Sequence, residues 1–585
     1  MKNFLTAVML VIASTVMAVP AQRVWKTVVQ PDGSSLRVML VGNAHCSYYV
    51  TQDYLPLCGN PVGGFRYASF SGRQLQPTPM LAHEPELRQA AEVNLTEQLH
   101  IQPDTERWQQ QQSMRHVEQK DPQVLRGDRR GLIILVEFPD QKFSSDDPKQ
   151  VYNEIANQTG YSQHGAQGSV HDYFSAQSGG LLNLTFDVVG PFTLQKSVRY
   201  YGERGEDLGT TRADLHAGEM IQEACLAADA HVDYSQYDWD GDNEVDQVFV
   251  LYAGYGEASG GPDYTVWPHE WTLTDAADSS LELDGTIVDT YACSAELSGD
   301  SGAVLNGIGT FCHEFSHCMG LPDMYDTNWR AFGMGDWDVM SHGSYNGGFN
   351  GENPLGWCPA GYTSYEKMYC GWQEPIELNS LGSLDYIPTT VKEMKPLSQQ
   401  GEFYKIVNPG RPNEYYLLEN RQKNGWDSEL PASGLLILHV DYMPNPWRRN
   451  YVNSDADHQR VSIFHADNEA SSGLPGELGD PYPFEGNDSL TDYSQPAATL
   501  FNNNIDGERL MHCAITGIEC HDDGTVSFCF SKQENDESAI SPLTAFSRQR
   551  PAYQLDGIQV RDGMLRQGIT IDCNSQGWHK RVVRY

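Results

Sequence analysis

Thr310-Phe-Cys-His313-Glu314-Phe-Ser-His317-Cys-Met-Gly320-Leu-Pro-Asp323-Met-Tyr325-Asp326 is the stretch that decides how the rest of this chain is read. His313 and His317 stand four residues apart, so on a helix their imidazoles project from one face and can hold a single zinc ion. Glu314 lies beside them, where it can take a proton from a metal-activated water and deliver it to a leaving amine. Gly320 breaks the helix and lets the backbone turn back, so that Asp323 can approach the metal as a third ligand. Three protein ligands and one open position mark a catalytic rather than a structural zinc site. Histidine pairs at this spacing also occur on ordinary surface helices; the glycine and aspartate that follow at fixed distances favour the metal. Glu352, in a Gly/Asn-rich loop, and Glu366, in a Tyr-rich segment, are the rivals to Asp323 and lack a supporting pattern. Cys312 and Cys318 would lie about 240° apart around a helix axis and cannot both face one metal.

Downstream comes Asp336-Trp-Asp-Val-Met340-Ser-His342-Gly-Ser-Tyr345. It resembles the Met-turn of the metzincins, in which a methionine floors the zinc site, and a thioether suits an irregular apolar gap beside imidazoles. Tyr325, His342 and Tyr345 are candidates to donate a hydrogen bond to a developing oxyanion. Of these, His342 and Tyr345 are assigned to the catalytic set.

A second acidic feature lies upstream. Asp238-Trp-Asp240-Gly-Asp242-Asn-Glu244-Val-Asp246 sets oxygen ligands at alternate positions, the pattern of a calcium loop on a frame other than the EF-hand. Five acidic groups so close repel one another without a cation. A solvated acidic turn is the alternative.

The whole chain has 585 residues, with 39 basic against 78 acidic side chains and a net charge of −39, which excludes a nucleic-acid binder working through a basic surface. Met1 to Ala18 has the positive start, apolar stretch and small-x-small end of a secretory signal peptide. Beyond it no apolar run approaches the roughly 20 residues a membrane helix needs. Twelve cysteines permit disulfides in an exported protein, with Cys46/Cys58, Cys358/Cys370 and Cys513 with Cys520 or Cys529 as candidates.

Residues 19–130 read as an N-terminal propeptide. Alternating strands run to about Ser71, then a polar, Gln-rich stretch ends in the basic Arg126-Gly-Asp-Arg129-Arg130, open to a trypsin-like protease. Residues 131–375 mix buried-strand runs (Gly131 to Phe138, Val245 to Tyr252) with an amphipathic helix over 212–228, and form the catalytic α/β unit. Residues 376–531 carry short apolar runs between turn-rich loops and read as a β-sandwich; 532–585 are a linker and a small β module. Cys58-Gly-Asn-Pro61 partly resembles a cysteine-switch peptide but lacks its flanking charges.

Together, His313 to Asp326, the Met340 turn, the strand from Leu132 to Asp140 and Tyr415-Tyr-Leu-Leu-Glu-Asn-Arg421 resemble the immune inhibitor A family of secreted bacterial zinc metallopeptidases. The resemblance implies a metzincin-like α/β (α+β) peptidase domain behind a small β-rich propeptide and before a β-sandwich. It implies zinc on His313, His317 and Asp323, with Glu314 as general base. The family uses Asp where most metzincins use a third His, and Asp323 follows it. The expected protein is a secreted, monomeric zymogen that hydrolyses proteins or peptides. A zinc amidase or deacylase on cell-wall or glycan substrates, and a non-enzymatic surface adhesin, are the competing readings. The last segment resembles C-terminal secretion modules of Bacteroidetes-type bacteria.

Overall fold

The computed structural model describes residues 18–533 apart from 45, 61–62, 73, 102–118, 205–213, 328–330, 350–352, 355 and 471–476, together with the strands of a C-terminal unit. The expected signal peptide up to Met17 and Gln109 to Gln112 lie outside the described residues. The chain divides into two compact units, Met1–Gln533 and Glu534–Tyr585.

The first unit opens with six strands, Trp25–Val29, Ser35–Gly42, Ser47–Val50, Pro56–Asn60, Gly64–Ser71 and Gln74–Leu81, each antiparallel to its sequence neighbour. Alternation builds their core: Leu36 and Val38 turn inward onto Leu57, Phe65 and Tyr67 while Arg37 between them faces out.

A five-stranded sheet follows in the order His269–Thr272, Thr290–Leu297, Val248–Tyr255, Gly127–Glu137, Leu182–Thr193. All of its pairs are parallel except that of the His269–Thr272 edge. Residues 131–136 of the third of these parallel strands, Gly127–Glu137, are buried on both faces, which explains their unbroken apolar run. The strand starts earlier than the sequence predicts. Arg130 pairs with Thr185, so the basic stretch expected to be an open protease site is part of the sheet. Its arginines are satisfied from the side, Arg129 Nε by Val124 O at 2.7 Å and Arg130 Nη2 by Asp187 Oδ2 at 2.5 Å, while the backbone stays in the ladder. The amphipathic helix is described over Ala217–Ala228; it buries Met220, Ile221, Ala224 and Cys225, whereas Leu226 and, before the helix, Leu215 are exposed.

Beyond Glu374 two further sheets share a core. One orders Ile376–Glu377, Tyr404–Asn408, Arg411–Arg421, Gly434–Asp441 and Val461–Ile463; the other Thr389–Met394, Val526–Lys532, Cys513–Cys520 and Leu490–Thr491. Tyr416, Leu418, Leu435 and Ile437 point toward Val391, Ile515 and Phe528. The alternate residues Tyr415, Leu417, Leu436 and Leu438 join the same core as Phe311, Phe315, Trp337 and Met340. One core therefore runs across residue 375, and the downstream strands are packed into the fabric around the helix Gly309–His317. Cys358 lies 3.3 Å from Ser428 Oγ, and Cys358, Cys370, Cys513, Cys520 and Cys529 carry free thiols, so the bridges expected among them do not form.

The second unit has strands Ala552–Gln554, Gln559–Val560, Gly568–Asn574 and Gly577–Val583 in one antiparallel sheet. Among the described residues no helix is long and apolar enough to cross a membrane.

Candidate metal and catalytic site

Every residue of the helix Gly309–His317 is buried. Its first residue must be small, because a Cβ on Gly309 would fall 1.7 Å from the Ser344 carbonyl oxygen, and this close approach seats the helix against the turn His342–Tyr345. The chain leaves the helix at Gly320 with φ +89°, a left-handed conformation that glycine adopts without steric cost. That reversal brings the Leu321 carbonyl to within 2.7 Å of His317 Nδ1, while Val339 O lies 2.8 Å from His313 Nδ1. A carbonyl only accepts, so each Nδ1 carries the proton and each Nε2 keeps its lone pair.

Those lone pairs meet a carboxylate. Asp323 Oδ1 lies 3.1 Å from His313 Nε2 and 3.6 Å from His317 Nε2. Its orientation is fixed from far along the chain: Asp323 N–H donates to Asn450 Oδ1 and Asn450 Nδ2 donates to Asp323 Oδ2, both at 2.6 Å. His313 Nε2 and Asp323 Oδ1 are buried with no hydrogen-bond partner among the described residues. Acceptors facing one another without a proton between them are costly in a protein interior unless a cation joins them. The donor set of two imidazoles and one carboxylate fits zinc.

Met340 is fully buried, accepts from Met324 N–H at 2.8 Å and donates its own N–H to Asp338 Oδ1 at 2.6 Å. The turn is braced from below by Arg421, which donates to Trp337 O at 3.2 Å and pairs with Glu419 at 3.0 Å and Asp427 at 2.7 Å. Glu366, a rival ligand at sequence level, caps its own helix with Thr363 and faces Asp338 instead of the imidazoles. Glu352 lies outside the described residues.

Glu314 is fully buried, and its Oε1 accepts the backbone N–H of Val19 at 2.8 Å. Burial holds its carboxyl well above the usual range; the Val19 N–H opposes this, and the charges of Asp323 and Glu270 add to it. The Ala18 carbonyl accepts from Tyr325 OH at 2.6 Å, the Val19 carbonyl from Trp267 Nε1 at 3.0 Å and the Pro20 carbonyl from Tyr345 OH at 2.7 Å. Ala21 and Gln22 donate their N–H groups to Gly42 O and Ala258 O at 2.7 and 2.8 Å. A peptide of the chain itself thus lies across the site.

This geometry redistributes the oxyanion candidates. Tyr325, which sequence reasoning considered and placed behind the other two, holds the carbonyl of the peptide group whose nitrogen faces Glu314. Tyr345 holds a carbonyl two residues further on. His342 is 4% exposed, and burial first, with the charges of Arg23 and His313, pushes its pKa well below 6.5, so it stays a neutral imidazole; its ring centroid is 6.4 Å from that of Tyr325. Asn450 and Trp267 were not legible as site residues, because nothing in their local sequence marks them; the Tyr415 to Arg421 stretch was noted, but not the contact of Arg421 with the Met340 turn.

In the acidic loop Asp238, Asp240 and Asp242 come together, with ligand atoms within 4.8 Å of one another. Asp246 does not join them. Its carboxylate accepts from Trp239 N–H at 2.5 Å and pairs with Lys120 at 2.7 Å. Much of the loop's acidity is taken up by its own backbone, Asp238 accepting from Gly241 and Asn243 and Asp242 from Glu244.

Two imidazoles and a carboxylate on a buried helix–turn frame, with a glutamate at their side, define a metallopeptidase-type centre. Residues 123–373 match the family described as the immune inhibitor A peptidase M6, catalytic domain. An immune inhibitor A of Bacillus thuringiensis subsp. alesti is 25% identical over 337 residues, covering 49% of this chain and 48% of that protein. The pre-pro-metalloprotease PrtV of Vibrio cholerae serotype O1 is 23% identical over 327 residues, covering 48% of this chain and 33% of that protein. The match over residues 123–373 and both relatives support an immune inhibitor A-like family. The chain spans about half or less of the length of these relatives.

Proposed function

We propose that the chain is a secreted zinc endopeptidase made in a latent form. The observation that carries this reading is the peptide group between Ala18 and Val19, set with its nitrogen on Glu314 and its carbonyl on Tyr325, beside the converging His313, His317 and Asp323. A zinc ion held by those three side chains would supply a Lewis acid to polarise a carbonyl and acidify a water.

The chain's own groups do the remainder. Glu314, whose raised pKa suits proton exchange, takes the proton of the attacking water and returns it to the leaving nitrogen, whose position the Val19 nitrogen marks. Tyr325 is kept neutral by burial and donates its O–H to the oxygen on which negative charge develops. Tyr345, Trp267 and the Ala258 carbonyl hold an extended peptide through its backbone, which favours unfolded protein segments of varied sequence.

Latency follows from the same contacts. While Val19 engages Glu314, the base has no access to water and the cleft none to substrate. Removal of a signal peptide after Ala18 would leave the Val19 nitrogen as an amine at the same carboxylate. Activation then requires loss of the N-terminal sheet, by a cut upstream of Gln119. Gln119 Nε2 donates to Tyr369 O at 2.8 Å and Leu125 O accepts from Trp372 at 2.9 Å, so residues from 119 on belong to the catalytic fabric. No observation favours the amidase or the adhesin reading. The test is hydrolysis of casein by the chain processed upstream of Gln119: a folded, zinc-loaded chain that leaves casein intact but releases amide or acyl groups from peptidoglycan overturns the reading.

A further inference from the structure

The helix Gly309–His317 changes pitch at its end, and one carbonyl is left over by the change. In a regular α-helix the Glu314 carbonyl takes the N–H of Cys318, four residues on. Here Cys318 N–H goes to Phe315 O at 3.2 Å, Met319 N–H to Ser316 O at 3.1 Å and Gly320 N–H to His317 O at 2.9 Å, so the last turn closes three residues back. Glu314 O is the acceptor that this tightening skips. A buried carbonyl without a donor is unfavourable.

Gln247 supplies the donor from another part of the chain. Its Nε2 donates to Glu314 O at 3.2 Å across 67 residues, and the residue is 2% exposed. Gln247 Oε1 has no hydrogen-bond partner among the described residues, so the amide is held by its donor end. The backbone is fixed on either side. Asp246, one residue before, donates its N–H to Tyr237 O at 3.1 Å and pairs through its carboxylate with Lys120 at 2.7 Å; Val248, one residue after, lies in the ladder between Tyr291 and Leu132. The amide therefore reaches the helix from a rigid place.

The tight turn is what the converging side chains need. It lets the chain reverse at Gly320, brings Leu321 O to 2.7 Å from His317 Nδ1 and returns Asp323 Oδ1 to 3.1 Å from His313 Nε2. A helix that kept its pitch would give Glu314 O the Cys318 N–H and carry residues 318–323 off that path. With Gln247 in place the carbonyl is satisfied and nothing is gained by keeping the pitch.

We infer that Gln247 is a positioning residue of the metal site: by occupying the Glu314 carbonyl it holds the helix end in the tight form that sets His317 and Asp323 against His313. Its amide acts through the backbone, not on the ligand atoms. The inference rests on the zinc peptidase reading.

The test is zinc affinity, measured by chelator competition on the intact chain, for wild type, Gln247→Met and Gln247→Asn. Met keeps the length and has no donor; Asn keeps the amide and falls one methylene short. Both variants are expected to bind zinc about 10–100-fold more weakly, the scale on which loss of a group that orients a metal ligand acts. Their thermal unfolding in excess zinc should stay close to that of the wild type. Wild-type zinc affinity in a folded variant overturns the positioning role and leaves the peptidase standing. So does failure of both variants to fold in excess zinc, since Gln247 would then serve the fold and not the site. A wild-type chain that binds no zinc removes the peptidase reading and the inference with it.

Discussion

The backbone N–H of Val19 lies 2.8 Å from Oε1 of Glu314, a contact between residues 295 positions apart. It sets a residue of the first module on the carboxylate proposed as base. The intact chain should therefore be nearly inactive, by roughly the 10²–10⁴-fold that a general base contributes. Limited proteolysis followed by N-terminal sequencing checks this: the active species should start upstream of Gln119. An active form starting after Arg130 would contradict the pairing of Gly127 to Arg130 with Leu182 to Thr185.

Glu314→Gln in the processed form keeps the shape of the side chain and removes its basicity. Casein hydrolysis should fall by about 10²–10⁴-fold. Zinc content by elemental analysis should stay at one per site, because Glu314 is not among the converging ligands. Retained hydrolysis would refute the role of Glu314.

The convergence of His313, His317 and Asp323 was legible because it is local: with Glu314 and Gly320 they fall within eleven residues, and helix geometry converts the histidine spacing into one face. The Met340 turn was legible for a similar reason. What was not legible comes from distant chain. Asn450 orients Asp323 across 127 residues, and Arg421 braces Trp337 across 84. The Arg126 to Arg130 stretch misled because its side chains are charged while its backbone from Gly127 on pairs with the neighbouring strand Leu182–Thr193. Residue 376 looked like a boundary because helical periodicity ends there, yet strands buried on two faces carry the core across it.

Asn450 acts through Asp323, so it is a positioning residue. Asn450→Ala removes the 2.6 Å donor to Asp323 Oδ2 and the acceptor of its N–H, leaving only the longer Tyr325 contact at 3.3 Å, and should weaken zinc binding by about 10–100-fold. Competition against a chelator measures this. Thermal unfolding in excess zinc should shift little, which separates the effect from a general loss of packing. Unchanged zinc affinity would refute it.

Arg421 is fully buried between Glu419 and Asp427. Arg421→Met leaves two buried carboxylates without their cation, a change that costs about 3–5 kcal/mol. Urea unfolding should show a lower midpoint with an unchanged slope. The double variant that also carries Asp427→Asn should recover part of the loss, since it removes one of the stranded charges.

Asp214 links stability to pH. Its Oδ2 accepts the backbone N–H of Trp267, the residue whose indole holds Val19 O. Burial raises its pKa from 3.8 to about 7 against the opposing Trp267 hydrogen bond and Arg204 charge. A folded-state pKa above the unfolded one contributes stability that is fully present below pH 3.8 and is lost as pH rises through about 7. Asp214→Asn keeps the acceptor and cannot ionise. It should match the wild type near pH 4 and exceed it near pH 8 by about 1–2 kcal/mol, a figure reduced for the partial solvent access of this side chain. Urea titrations of both proteins at the two pH values measure the gap. A gap that closes or reverses as pH rises would show that Asp214 is ionised in the fold throughout, with Arg204 outweighing burial.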